Sequence, residues 1–450
     1  MARLLIRNCD VLRFPASPAL SSGAGLPVID LGQDILVDGQ KIQAIAPTGT
    51  IPLAPETEVL EAEGMLAVPG MVNTHAHVPM VLFRGVAEDV VLDEWFNNYI
   101  WPLESNLTPE DVYWGAQLGL AEMIENGITY VADHYFYMDE VAQAVQQAGI
   151  RANLAWAVFG HEGPAKLEQT IEFIQRWQGG ADGRITTWLG PHAPYTTGPD
   201  FLRLCARRAR EIGVGIHIHV SETSAQVELS LKEYGITPVQ MLLETGVLDV
   251  PTIFGHCLYP SPADIDIMAD HPCGVSQAPK TYLKAGMGLG PVVTLRQRGI
   301  PVGLASDGAA SNNTLDLYEQ MRLTALTQKH QAHDARAMTI AEVLEIAYRG
   351  GAQVVRRADD LGELEPGRQA DIVLLRQDSL SATPRYQPAA NLVYSICARD
   401  VDTVLCAGKL LLRHRQHLTL DKERIKQEVN ARLERLVQRV PGRRIAVYPT

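Results

Sequence analysis

The feature that most constrains the fold is an alternation of apolar strand-like runs with amphipathic helical runs, from about residue 66 to residue 360. We expect eight strands there, at Leu66–Asn73, Ile128–His134, Ala152–Phe159, Thr186–His192, Val214–Val220, Thr252–His256, Cys273–Gln277 and Pro301–Ser306. Helical patterns separate most of them, for instance at Pro109–Glu125, Asp139–Gln147, Asp200–Glu211, Ala263–Ala269 and Leu315–Lys329. Eight such units in about 300 residues predict an α/β fold of the (β/α)8 barrel type. A doubly wound open sheet is the alternative, but no GxGxxG follows the first strand.

The two chain ends show short strands with alternating polarity. Asp34–Val37 and Lys41–Ile45 flank an Asp38-Gly39 turn, which predicts a hairpin, and strand patterns return at Ala370–Leu375 and Val401–Cys406. We predict that residues 1–65 and 361–450 form one small β-sandwich domain and that residues 66–360 form the barrel domain. We also expect a loop at Phe14–Pro27, a helix at Thr339–Arg357 and a charged surface helix at Asp421–Val440.

Composition and charge argue against several function classes. The 450 residues carry a formal net charge of −13 without a basic patch, which disfavours nucleic acid as a partner. The six cysteines form no CxxC pair, as expected for reduced thiols in a cytoplasmic enzyme. No run of about 18 apolar residues occurs, so we expect no membrane span. A small-molecule substrate remains the expected partner, and a homo-oligomer is compatible with the sequence.

Two histidines end the first predicted barrel strand, in the stretch VNTHAH. Because side chains alternate along a strand, His75 and His77 project to the same side. Two imidazoles about 6–7 Å apart along a backbone can converge on one cation. An isolated HxH pair more often consists of unrelated histidines, but later strand ends supply further ligands here.

These further candidates follow strands five, six and eight. His217 and His219 both face inward on strand five, and Glu222 lies three residues after His219. His256 ends strand six and Asp307 follows strand eight. Chemistry in a (β/α)8 barrel sits at the carboxyl ends of the strands, so we expect these side chains at one mouth. We interpret His217 as a core histidine one layer below the site, and His134 and His161 as weaker candidates.

Three imidazoles and one carboxylate suit Zn²⁺, four- or five-coordinate with a water, although iron or manganese could also occupy such a site. Bound zinc lowers the pKa of that water to about 7, which generates a nucleophile at neutral pH. Glu222, close to the metal, is the natural proton shuttle. A neutral His256 could orient the water or stabilise developing charge.

The motifs VNTHAH, HVSET, GHC and SDGAASNN, with GELEPGRQADIVLL near the end, resemble the mononuclear-zinc deaminase branch of the amidohydrolase superfamily over nearly the whole chain. This resemblance implies one zinc ion per subunit, held by His75, His77, His219 and Asp307. It also implies that Glu222 and His256, with help from Asp307, transfer protons and activate water. The implied reaction is hydrolytic deamination of a ring amidine.

The stretch after strand one, with MVLFRGVAED, EW and WPLE, resembles the substrate loop of the 5'-methylthioadenosine/S-adenosylhomocysteine deaminase family. The likeness implies that Trp95 lies against a nucleoside and that Glu104 accepts hydrogen bonds from the ribose diol, for which a carboxylate offers two acceptors. It also implies that His192 and Ser311 contact purine ring nitrogens, while Glu222 protonates one. The implied substrates are methylthioadenosine, S-adenosylhomocysteine, adenosine and 5'-deoxyadenosine. A helix that only packs on the barrel is the alternative for Trp95 and Glu104.

Two departures from that family weaken the expectation of a zwitterionic homocysteine tail. Trp156 stands where the family has an arginine, and PKTYLK lacks the usual Ser-Asn pair, although Lys280 could supply a cation. The alternative functions are deamination of guanine, an oxidised purine, a pterin or cytosine, hydrolysis of an amide, an aminotriazine or an aryl chloride, and a catalytically silent barrel.

Overall fold

The computed structural model describes residues 3–15 and 27–439. The strands are β1 Leu4–Arg13, β2 Val28–Asp38, β3 Lys41–Pro47, β4 Glu58–Glu61, β5 Met65–Pro69, β6 Met71–Ala76, β7 Ile128–Tyr135, β8 Arg151–Val158, β9 Ile185–Pro191, β10 Ile216–Val220, β11 Thr252–His256, β12 Cys273–Gln277, β13 Val302–Leu304, β14 Ile372–Arg376, β15 Val401–Cys406, β16 Lys409–Arg413 and β17 Gln416–His417. The α-helices are Leu92–Glu94, Trp101–Glu104, Pro109–Glu125, Met138–Ala148, Gly163–Trp177, Gly180–Gly183, Pro194–Thr197, Pro199–Ile212, Ser224–Tyr234, Pro238–Glu244, Pro262–Ala269, Pro279–Lys284, Val292–Gln297, Ala309–Asn312, Leu317–Ala332, Ile340–Glu345, Gly351–Val354, Pro388–Tyr394, Lys422–Asn430 and Leu433–Leu436.

Strands β6 to β13 form one parallel sheet in which each strand pairs with the next along the chain. A parallel bridge between Ala76 and Asp307 joins the first strand to the end of the last, and Thr74 Oγ1 donates to Leu304 O at 2.9 Å. This nearly closed arrangement confirms the predicted (β/α)8 barrel. Strands β11 and β12 have the predicted bounds, as does the helix Pro109–Glu125.

Burial on both faces explains why the barrel strands are apolar runs. All eight residues of β7 are buried, because helices cover the outside of the sheet while side chains fill its inside. The polar residues in these strands therefore lie in the interior or at its mouth.

The second sheet has nine strands, taken from the N-terminal and C-terminal parts of the chain, in the order β17-β16-β15-β14-β5-β1-β2-β3, with β4 paired to β1. Strand β14 shows that the two faces of this sheet pack in different hydrophobic cores. Ile372 and Leu374 pack in a small core formed by this sheet, whereas Val373 and Leu375 pack in the large core shared with the barrel. The alternation read from the sequence thus reflects a sheet that is buried on two faces.

The predicted first strand, Leu66–Asn73, is divided in the structure. Strand β5 pairs with β1 and β14 in the nine-stranded sheet, and only β6 belongs to the barrel. Gly70 lies between them, where a Cβ atom would stand 2.1 Å from Thr129 Oγ1, so the chain passes between the two sheets at a point with no space for a side chain. The domain division at residues 65 and 66 remains our proposal, with β5 pairing on the sandwich side.

Two predicted helices are also interrupted. Within Thr339–Arg357, a π-helical turn at Ile346–Gly350 separates Ile340–Glu345 from Gly351–Val354. Within Asp421–Val440 there are two helices, Lys422–Asn430 and Leu433–Leu436, and Val440 lies outside the described residues. Most of the expected loop Phe14–Pro27 also lies outside them. Among the described residues, no helix is both long and apolar enough to cross a membrane.

A buried ion pair connects the barrel to the nine-stranded sheet. Arg151 Nε donates to Asp371 Oδ2 at 3.0 Å, and both side chains are almost fully buried. Asp371 Oδ1 also accepts the backbone N–H of Ala407 at 2.8 Å. Removing one partner of such a pair leaves a charge buried without compensation.

We therefore expect Asp371→Ala to lower the free energy of unfolding, measured by urea titration, by about 3–5 kcal/mol. Replacing both partners by apolar residues, in Arg151→Met with Asp371→Leu, should cost less, because no charge stays buried. Asp266→Ala is the matched control: it removes an exposed partner of Arg298 and should cost less than about 1 kcal/mol. Equal losses in Asp371→Ala and Asp266→Ala would contradict this interpretation.

Candidate metal and substrate site

Four predicted ligands meet at the carboxyl end of the barrel. His75 lies near the end of β6 and His77 directly after it, His219 lies in β10, and Asp307 follows β13. Asp307 Oδ1 is 3.3 Å from His77 Nε2 and 3.8 Å from His75 Nε2, and the Nε2 atoms of His77 and His219 are 3.4 Å apart. Ligand atoms around an ion with bonds of about 2.1 Å stand about 3.4 Å from one another in a tetrahedron, so this spacing suits one small cation.

Hydrogen bonds determine which ring nitrogen of each histidine faces the centre. His77 Nδ1 is 2.6 Å from His134 O, and His219 Nδ1 is 2.8 Å from His192 O. A carbonyl oxygen only accepts, so each Nδ1 carries a hydrogen and each Nε2 faces the centre. Burial alone would lower the pKa of His77, but its hydrogen bond with Asp307 raises it to about 9, so Nε2 of His77 carries a proton that a bound cation would displace. The orientation of both rings is the one that a histidine ligand to a metal requires.

His75 provides the clearest test of whether a metal fits. Its Nδ1 is 2.7 Å from His217 Nε2, whereas its own Nε2 is buried and has no hydrogen-bond partner among the described residues. A buried imidazole nitrogen without a partner is costly, and a divalent ion would satisfy it. Burial lowers the pKa values of His75 and His219 well below the usual range, so both are neutral, as ligands must be. The residues present therefore fit a borderline divalent ion.

Asp307 is held from behind, so that one oxygen faces the histidines. Its Oδ2 accepts hydrogen bonds from Ser311 Oγ at 2.7 Å and from Thr281 Oγ1 at 3.1 Å. Burial alone would raise the pKa of Asp307, but the hydrogen bond with His77 and the neighbouring charges lower it to about 2. The carboxylate is therefore ionised at neutral pH.

Glu222 and His256 stand beside this group as the sequence predicted. Glu222 Oε1 is 3.6 Å from His256 Nε2. Gln226 contacts both the backbone and the side chain of Glu222. Gln226 Oε1 accepts the Glu222 backbone N–H at 3.0 Å, and Gln226 Nε2 lies 3.4 Å from Glu222 Oε2. Burial raises the pKa of Glu222 above its ordinary value. A carboxyl group that exchanges a proton nearer to neutral pH is suited to general acid–base chemistry.

A cavity opens beside His77 and His219, with about 520 Å³ of space that includes its open mouth, whereas His75 and Asp307 lie behind its wall. Of the predicted substrate residues, Trp95, Glu104 and His192 line it, together with Glu222 and His256. Ser311 does not line it, and its hydroxyl lies 2.7 Å from Asp307 Oδ2 and 2.8 Å from Gly308 O, either of which can accept its single hydrogen. The remaining wall is largely apolar, formed by Met80, Phe96, Trp101, Phe136, Ala157 and Phe159.

Glu104 has a partner that sequence reasoning missed. Tyr135, at the end of β7, donates its hydroxyl to Glu104 Oε1 at 2.6 Å and also lines the cavity. Burial raises the pKa of Glu104 to about 7 and that of Tyr135 well above its ordinary value. The signal in the sequence was the position of Tyr135 at a barrel strand end, where chemistry is expected. Sequence reasoning also missed three apolar residues at strand ends that line the cavity: Phe136, directly after β7, and Ala157 and Phe159, at the end of β8.

The weaker candidates lie as follows. His217 is fully buried below the ligands, bonded to His75, in agreement with its interpretation as a core residue. His134 lines the cavity, and its Nε2 is 3.1 Å from Gly190 O. His161 lies in an exposed turn that does not reach the cavity.

Neither departure from the family pattern, Trp156 or the PKTYLK stretch with Lys280, places a cation in the cavity. Lys280 Nζ donates to Glu319 Oε2 at 2.7 Å and to Thr314 Oγ1 at 2.9 Å, and the residue does not line the cavity. Trp156 packs beneath Lys166, whose ammonium lies 4.8 Å from the ring centroid. Among the described residues that line the cavity there is no lysine or arginine.

Comparisons with known proteins agree with this geometry. The chain is 41% identical, over 97% of its length and 100% of the relative, to the 5-methylthioadenosine/S-adenosylhomocysteine deaminase of Desulforudis audaxviator (strain MP104C). Its structure is similar to that of an adenosine deaminase from Xanthomonas campestris with bound zinc, with a TM-score of 0.89, 29% identity and coverage of 96% and 98% of the two chains. It is also similar to atrazine chlorohydrolase from Arthrobacter aurescens TC1 complexed with zinc, with a TM-score of 0.86, 26% identity and coverage of 96% and 100%.

The sequence model of the amidohydrolase family matches residues 66–411, which include every candidate ligand and every residue of the cavity wall. The match extends past the barrel into the nine-stranded sheet, through β14 and β15. Together with the shared architecture, this shows that the chain belongs to the amidohydrolase family.

Proposed function

We propose that this protein is a zinc-dependent hydrolytic deaminase of an adenine nucleoside, which it converts to the inosine-type product and ammonia. The observation that carries the proposal is one cavity lined by two kinds of residue. His77 and His219 line this cavity with Glu222 and His256, and the other two metal-capable side chains, His75 and Asp307, lie directly beside His77. Glu104 and Trp95 line the same cavity. The similarity to deaminases of adenine nucleosides supports the same conclusion.

His75, His77, His219 and Asp307 would hold the metal, one ion per subunit. When bound, a divalent ion supplies a Lewis acid that makes water nucleophilic at neutral pH. Asp307 and His256 take the proton from the attacking water and orient it toward C6 of the adenine ring. Zinc is the proposed ion because the donor set is three imidazoles and one carboxylate.

Glu222 moves the protons that the reaction requires. Replacing an amino group by a hydroxyl at C6 needs one proton at the ring nitrogen and another on the departing amine. Glu222 is buried next to His256 with a raised pKa, so it can donate a proton and recover one within the same cycle. Ammonia then leaves, and the ring keeps the oxygen of the water.

Glu104 and Trp95 would hold the sugar and the base. Tyr135 donates to Oε1 of Glu104, which leaves Oε2 available to the ribose diol. Trp95 offers an aromatic face, and His192 presents Nε2 toward a purine nitrogen, since its Nδ1 is bonded to Thr196 Oγ1 at 2.9 Å. The apolar wall favours a methylthio or hydrogen substituent at the 5' position over a zwitterionic tail, so methylthioadenosine and 5'-deoxyadenosine are the preferred members of the substrate class. The cytoplasm is the proposed location.

Metal removal tests the first part of the proposal. We expect purified protein to contain about one zinc per chain, to lose ammonia release after chelation and to recover it with added Zn²⁺, because the ion makes water nucleophilic. His219→Ala should lower the metal content measured by plasma emission spectroscopy, while His330→Ala, which changes an exposed histidine far from the mouth, should not. Full activity in metal-free protein would contradict the proposal.

Glu222→Gln tests the proton transfer. The amide cannot donate and recover a proton at neutral pH, so kcat should fall by about 10²–10⁴-fold while zinc stays bound. The control is Glu228→Gln, an exposed glutamate in the helix that follows, which should retain wild-type kcat. A Glu222→Gln enzyme with normal turnover would rule out this role.

Glu104→Ala tests the nucleoside as substrate. Without the carboxyl group, kcat/KM for methylthioadenosine and adenosine should fall by about 10²-fold, because the charge-assisted hydrogen bonds to the diol are lost, whereas any turnover of free adenine should change little. Equal losses for nucleoside and free base would instead favour a heterocycle without a sugar as the substrate.

The same carboxyl group gives a pH dependence. Because the pKa of Glu104 is about 7, raising the pH from 6 to 8 ionises it and increases its ability to accept from the diol. The KM for nucleosides should therefore fall over this range, and Glu104→Gln should remove that dependence. A wild-type KM that rises over the same range would contradict the assignment.

A further inference from the structure

Four residues of the cavity wall come from residues 92–104, which lie between β6 and the helix Pro109–Glu125. We call residues 92–104 the pocket segment. It consists of the short helix Leu92–Glu94, a π-helical turn at Trp95–Ile100 and the helical turn Trp101–Glu104, and it belongs to neither sheet. It supplies Trp95, Phe96, Trp101 and Glu104 to the cavity. A segment without strand pairing depends on other contacts for a fixed position.

Ile100, Trp101 and Leu103 anchor the segment in the large core, and further contacts come from the C-terminal region of the chain. We call residues 432–439 the C-terminal strap. Asn106, two residues after Glu104, donates from Nδ2 to Gln438 O at 2.6 Å and to Leu436 O at 3.3 Å. In return, Arg435 donates to Asn106 O at 2.8 Å. The Leu436 side chain is fully buried in the large core, so the strap has a firm anchor of its own.

Charged groups extend this contact on both sides of Asn106. Arg435 and Arg432 both pair with the buried carboxylate of Asp111, which also accepts from the backbone N–H of Thr108 at the start of the next helix. On the other side, the Arg439 guanidinium lies 4.7 Å from the centroid of the Tyr99 ring, in the π-helical turn between Trp95 and Trp101. The strap therefore contacts the pocket segment and the residues that continue it toward the helix.

We infer that the C-terminal strap positions the pocket segment for substrate binding, with Asn106 and Arg439 as positioning residues that act through Glu104 and Trp95. This inference rests on the proposed role of those two residues in holding a nucleoside. A pocket wall that is already ordered loses little freedom when substrate binds, whereas a loosened wall must be ordered at the expense of affinity. The metal ligands and Glu222 lie on the barrel strands and their ends, and the strap contacts none of these residues through the bonds described above.

If this inference is correct, substitutions that weaken the contact between the strap and the pocket segment raise KM and leave kcat nearly unchanged. In Asn106→Ala, which removes the two hydrogen bonds that the side-chain amide donates to the strap, we expect KM for methylthioadenosine to rise about tenfold with kcat within about twofold of wild type. Arg439→Gln should produce a smaller increase in KM, and Arg439→Lys, which keeps a cation over the Tyr99 ring, should restore most of the wild-type value. Arg439 is exposed, so its substitution leaves folding intact even if Asn106→Ala does not.

Arg424→Gln is the matched control. Arg424 lies over the Trp114 ring at 5.3 Å, in the same C-terminal region, but makes no contact of this kind with the pocket segment. It should leave KM unchanged. Hydrogen–deuterium exchange gives a readout independent of activity: amides of residues 92–104 should exchange faster in Asn106→Ala and Arg439→Gln than in wild type or Arg424→Gln.

Unchanged exchange and unchanged KM in both Asn106→Ala and Arg439→Gln would overturn the inference, as would a loss of kcat without a change in KM. A rise in KM in Arg424→Gln equal to that in Arg439→Gln would also overturn it, since the effect would then be general. If the wild-type enzyme released no ammonia from any adenine nucleoside, the proposed function would fail, while the exchange experiment would still decide whether the strap orders the segment.

Discussion

The closure of the barrel between its first and last strands is the constraint on which the site depends. His75 and His77 are more than 200 residues from Asp307 in the sequence, and they meet because β6 lies next to the end of β13. Asp307 N donates to His75 O at 3.1 Å, and Asn73 Nδ2 donates to Ser306 Oγ at 2.6 Å. The contacts that close the barrel are thus made by the residues adjacent to the ligands. Any change that opened this seam would separate the carboxylate from the imidazoles.

The metal-capable group also depends on the buried environment of its histidines. Burial lowers the pKa values of His75, His192, His217 and His219, so these rings stay neutral in a region where several imidazoles are in contact. Backbone carbonyls at the ends of neighbouring strands then select the tautomer. The same strands therefore supply the ligands, exclude water from them and orient their lone pairs, which explains why the chemistry is confined to one end of the barrel.

Much of the fold and of the metal-capable group was predictable, because both follow from local patterns. The eight apolar runs show which segments are barrel strands, and a histidine or aspartate at a strand end must lie at the mouth once the strands are parallel. The division of Leu66–Asn73 was not predictable from periodicity, since residues 66–72 form one buried apolar run in which only the close approach at Gly70 marks the division. The position of Ser311 behind Asp307, and of Tyr135 beside Glu104, depends on side-chain directions across different strands. The contact of the C-terminal strap with Asn106 joins residues more than 300 positions apart without a motif.

The central claim is that His75, His77, His219 and Asp307 surround one divalent ion. A crystal structure of the purified protein with anomalous difference maps collected on both sides of the zinc absorption edge tests it directly. We predict a single strong peak per chain within about 2.3 Å of Nε2 of the three histidines and of one Asp307 oxygen, present above the edge and lost below it. A peak elsewhere, or an Asp307 carboxylate turned away from a metal held by the other three residues, would contradict this account.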